Sequence, residues 1–145
     1  MSKMCVAVIA VSLTLPACLL AAENPDATFY KRAAEGGMAE VELGKLAQDK
    51  SPTSSVKEFG GMMITDHSAA NDKLKAIAER KNIKLPTSPS VSQMATKTKL
   101  EVLSGTTFDK SYIKGMVKDH QEDIKEFQTE ASLGQRGLEK NPCDR

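Results

Sequence analysis

His67 and His120 are the only two histidines of this 145-residue chain, and both stand where a helix would place an apolar side chain. His67 lies between Met63 and Ala70 on a line that also carries Val56, Phe59, Leu74 and Ile77, the three- and four-residue steps of a buried helix face. His120 lies between Val117 and Ile124 on a second line with Ile113, Phe127 and Ala131. A carboxylate interrupts a third: Glu40, among Phe29, Ala33, Gly36, Leu43 and Ala47. Burying an ionisable group is costly unless it is paired. The three groups are therefore expected to point inward from three helices and to need partners.

Three chemistries are open to such a set. In the first, Glu40 accepts hydrogen bonds from one or both imidazoles and the polar layer fixes helix register. In the second, Glu40, His67 and His120 hold a metal ion, because inward carboxylates and imidazoles are how helical bundles bind iron, manganese, zinc or copper. Met63 and Met116 each precede a histidine by one turn, so a softer site for copper would recruit them. A di-iron centre is disfavoured, since it needs Glu-x-x-His on two helices and the residues three before the histidines are Ile64 and Val117. In the third, Asp66 and Asp119 would act with the histidines as acid and base. Neighbouring helical residues point about 100° apart, so they cannot face one substrate. No nucleophile elbow, phosphate loop or cysteine pair accompanies them, and an enzyme is not expected.

The elements that must position these residues are marked by Asn24-Pro25, Ser51-Pro52, Ser88-Pro89 and Gly105-Thr106-Thr107. This punctuation predicts helices over about 25–50, 52–81, 90–104 and 107–133, and no window alternates like a strand. Met63 to His67 aligns without a gap on Met116 to His120, so the second and fourth helices read as copies of one pattern. Asn71-Asp72-Lys73 and Gln121-Glu122-Asp123 read as solvated faces. Gly36-Gly37 and Gly60-Gly61, which cost helices about 1 kcal/mol each relative to Ala, imply close helix contact or a kink.

Before the first helix, Lys3, the apolar run from Val6 to Leu20 and Ala21-Ala22 read as a secretory signal over residues 1–22. Its roughly 14 apolar residues, broken by Pro16, fall short of the roughly 20 that span a bilayer. Ordinary cleavage is favoured over lipid modification at Cys18. The expected location is the periplasm or the outer membrane. Removing Lys3 from a chain of net charge +1 leaves balanced charge, which excludes nucleic acid as a partner. Cys5 and Cys18 fall in the signal, so Cys143 has no disulfide mate in the mature chain. The protein partner, if one exists, is not legible; envelope association and a homo-oligomer both stay open.

Beyond these residue-level readings, EGGMAEVELGKLAQDK, VKEFGGMMITDH, AANDKLKAIAERKNIKLP and LSGTTFDKSYIKGMVKDH, with the turn around Phe127, resemble the bacterial domain of unknown function 4142 family, from about Phe29 to Ala131. The resemblance implies an exported, ferritin-like bundle without an established activity. It implies motif roles for Glu40, Glu42, Asp66, His67, Asp109 ahead of the fourth helix, Asp119 and His120. Relatives continue into another helix carrying a further histidine. Here the text turns instead into Gly134 to Arg145, expected to be a disordered tail, and the neighbouring apolar faces are expected to be partly uncovered. The fold expected is all-α: an antiparallel four-helix bundle over 23–133 with three long helices and one short. The missing Glu-x-x-His favours a non-catalytic binding or structural role over metal storage and leaves a mononuclear site open.

Overall fold

The computed structural model describes residues 26–139, which form four helices: α1 (Ala27–Lys50), α2 (Ser54–Arg80), α3 (Val91–Glu101) and α4 (Gly105–Glu139). The expected signal segment and Cys143 lie outside the described residues. None of the four helices is long and apolar enough to cross a membrane.

Contacts between the helices fix their directions. Gly44 meets Gly60 and Gly37 meets Asn71, so α2 runs antiparallel to α1. Arg32 pairs with Glu126 and Phe29 packs on Phe127, so α4 is antiparallel to α1 as well. Gly36 lies near Gln93 and Glu42 pairs with Lys97, which aligns the short α3 with α1. The result is an all-α, up-down-up-down bundle.

Local chemistry sets the boundaries. Asn82 takes the left-handed conformation (φ 55°) just after α2, and the Ile83 amide donates back to the Ala78 carbonyl at 2.9 Å, closing the helix end. α3 opens on a reciprocal cap in which the Ser90 hydroxyl accepts from the Gln93 amide and the Gln93 side chain accepts from the Ser90 amide. Lys50 donates to the Glu101 carbonyl, tying the end of α1 to the end of α3. α4 begins at Gly105 (φ 58°), two residues earlier than expected, and continues to Glu139. Residues 140–145 lie outside the described range.

The core gathers at one end. Leu43 and Ala47 of α1, Met63 of α2, Leu100 of α3, and Phe108, Tyr112 and Met116 of α4 are buried together, with Val56, Phe59 and Leu103 packed against them. α1 and α2 close to backbone contact beside this core. A Cβ on Gly44 would come within 2.6 Å of the Gly60 carbonyl, and one on Gly60 within 2.7 Å of the Gly44 carbonyl. Close approach to Gly44, not a kink, explains Gly60.

The inward face of α4 differs from the expected one. Ile113, Val117, Ile124 and Phe127 are 36–57% exposed. The helix carries a second apolar line, Phe108, Tyr112 and Met116, and that one is buried to 2% exposure or less. The aromatic line wins because its two large rings remove more apolar area from water than the aliphatic one. On α2, Met63 is buried as expected, Leu74 and Ile77 are half-buried, and Ala70 faces solvent.

Candidate metal centre

Above this core the apolar lines give way to charge. Glu40 projects from the middle of α1 and is 4% exposed. His67 reaches it from α2, with Nδ1 2.7 Å from Oε2. From α4, His120 places Nδ1 3.6 Å from the other carboxylate oxygen, Oε1. The two rings lie edge to face with centroids 5.6 Å apart. One ligand atom from each residue lies within 4.8 Å of the others.

The hydrogen bonds leave this cluster incomplete. At 3.6 Å the His120 contact is beyond hydrogen-bond reach, and Glu40 Oε1 is buried with no donor. The His120 Nδ1 lies 2.8 Å from the Met116 carbonyl, which can only accept, so Nδ1 carries a proton there. A ring oriented in this way by a backbone carbonyl is how metal-binding histidines are commonly held. His67 is drawn above its ordinary pKa, first by its hydrogen bond to Glu40, against the opposing effect of burial.

Negative charge accumulates around Glu40. Burial raises Asp119 and Asp123, and the Glu40 charge adds to both; Asp123 is pushed up to about 6. Tyr112 is pushed up to about 12 by burial and then by Glu40, and its hydroxyl also lacks a partner. Beside the cluster, α1, α3 and α4 enclose a cavity of about 420 Å³ walled by Glu35, Glu40, Asp119, Glu122, Asp123 and Glu126. Arg32 and Lys118 are its cations, and they pair with Glu126 and Glu122. A cation near Glu40 would relieve repulsion that the side chains leave unbalanced.

The three residues expected at a site, Glu40, His67 and His120, thus come together. Met63 and Met116 instead pack in the hydrophobic core. The two Met-to-His segments occupy equivalent roles, each burying its Met and turning its His toward Glu40. Asp66 is exposed, and Glu42 pairs with Lys97 at 3.4 Å. Asp109 lies within the first turns of α4 rather than ahead of it. There it accepts from the hydroxyls of Ser51 and Thr53, both at 2.6 Å, and locks α4 to the α1–α2 connection. Asp123, read as part of a solvated run, is half-buried in the cavity wall, and Asn71 packs on Gly37. The available signal was the four-residue step Tyr112, Met116, with Asp119 and Asp123 continuing the same side of the helix.

Fold and site define a class, a helical bundle with a buried carboxylate facing two imidazoles. The chain belongs to the family described as a domain of unknown function (DUF4142), whose pattern residues 14–137 match. No curated protein and no solved structure matches it significantly.

Proposed function

We propose that this protein is an exported, non-catalytic bundle of the bacterial envelope that binds a divalent transition-metal ion through Glu40, His67 and His120. The observation that carries this reading is the convergence of the three ligand atoms within 4.8 Å around a buried Glu40 Oε1 that no hydrogen bond satisfies. One carboxylate and two imidazoles suit zinc, copper or iron, with remaining positions left for water. Met63 and Met116 do not join the set, which removes the thioether argument for copper(I). Export is supported by the N-terminal sequence pattern, and the non-catalytic role by the lack of a recognisable nucleophile or acid–base pair in the sequence.

Protein purified without chelator is expected to carry one ion per chain by elemental analysis. Stripped protein titrated with Zn²⁺, Cu²⁺ or Fe²⁺ should gain about 2.7 kcal/mol of stability at a hundredfold excess over Kd, seen as a rise in Tm. His67→Ala and His120→Ala should each abolish both effects. A second reading, a purely structural Glu40–His67 network, is favoured by their 2.7 Å contact. It requires the opposite: no ion, a Tm indifferent to metals, and a cost of about 1–3 kcal/mol for His67→Ala.

A further inference from the structure

The apolar line on α4 that the bundle leaves uncovered has the geometry of an interface. Ile113, Val117, His120, Ile124, Phe127 and Ala131 follow one another at steps of four and three, the a/d repeat of a two-stranded coiled coil. Val117, Ile124 and Phe127 are 53–57% exposed, and the His120 side chain is 41% exposed. We propose that α4 pairs with α4 of a second copy of this chain, antiparallel, along this line.

The spacing is self-complementary about a two-fold axis at the level of residue 122. Ile113 then meets Ala131 of the second copy, Val117 meets its Phe127, and His120 meets its Ile124, so every layer has an apolar member. The outer flank of the line carries Lys114, Gln121 and Gln128, which set no like charges against each other across the axis. The inner flank is turned away: Met116 is buried, Asp123 lines the acidic cavity, and Glu130 lies beside Phe29 and Arg32. The 19-residue line is about 28 Å long. Pairing over that length buries on the order of 500–600 Å² per partner, the low end of specific interfaces. The pairing also covers the open side of His120. It rests on the face of α4 and not on metal occupancy.

Sedimentation velocity on the purified full chain, stripped of metal by chelator, should show a monomer–dimer equilibrium across micromolar concentrations. Val117→Glu should weaken dimerisation by roughly 100-fold or more, because each carboxylate enters a layer opposite the second copy's Phe127, which offers it no partner, while leaving the helical circular dichroism unchanged. In a Cys143→Ser background, Gln121→Cys, one residue from the two-fold axis, should form a disulfide-linked dimer under mild oxidation, whereas Lys125→Cys, farther along the helix from that axis and turned further from the seam, should not. A chain that stays monomeric at all concentrations overturns the proposal. So does a dimer indifferent to Val117→Glu, or one that Lys125→Cys captures as readily as Gln121→Cys. Loss of metal binding with the dimer intact would count against the proposed function alone.

Discussion

The two halves of α4 are built from similar stocks of apolar residues and meet opposite fates. From Phe108 to Met116 the helix is locked: Asp109 holds it to Ser51 and Thr53, and Phe108, Tyr112 and Met116 fill the space between α1, α2 and α3. From Val117 onward it touches α1 through a polar cluster and an aromatic edge, Phe29 on Phe127, while its aliphatic line stays in water. By Glu130 the helix is level with Asp26 at the start of α1. The first half supplies the packing, and the second, relieved of that task, carries charge that a packed core would exclude.

The largest test of this contrast is Phe108→Ala, expected to cost about 3–5 kcal/mol in denaturant unfolding because the ring is fully buried in the core cluster. A cost below 1 kcal/mol would mean that the first half is not the stabilising one. Next comes Gly60→Ala, whose methyl would press on the Gly44 carbonyl and force α1 and α2 apart. A loss of about 1–3 kcal/mol is expected, against a slight gain if only helix propensity mattered.

In the polar half the expected effects are smaller and depend on pH. Asp123 is raised from 3.8 to about 6, chiefly by burial. Below pH 3.8 it is protonated in both folded and unfolded chains and costs nothing. As pH climbs the unfolded chain ionises first, and the contribution falls until the cost is fully present above about 6. His67, raised above 6.5, stabilises below that value and loses its contribution as pH passes through its folded pKa. Metal-free protein should therefore lose Tm over this window, and Asp123→Asn should flatten the lower part of the decline. An equally steep profile in the variant would remove Asp123 from the account. The smallest effect belongs to Arg32→Ala. Its 3.5 Å pair with Glu126 is largely exposed, so a change within about 1 kcal/mol, fading with added salt, is expected in thermal melts.

Much of this was legible in the chain itself. Helix identity, the approximate boundaries and the number of helices followed from Pro, Gly and capping residues, because these act within a few residues of backbone. The meeting of Glu40 and His67 followed from helical periodicity, since a charged residue on an apolar line is carried toward whatever that line packs against; His120 reaches Glu40 from the edge of a line that the bundle leaves exposed, so its place there was settled by packing. Periodicity could not choose between the two apolar lines of α4. Both satisfy a helix, and only the space left by Leu43, Met63 and Leu100 decides that Phe108 and Tyr112 enter while Val117 and Ile124 stay out. The Gly44–Gly60 contact and the half-burial of Asp123 were decided in the same way. A residue's environment depends on where other helices arrive, and that is a property of the packed assembly that no local window of sequence contains.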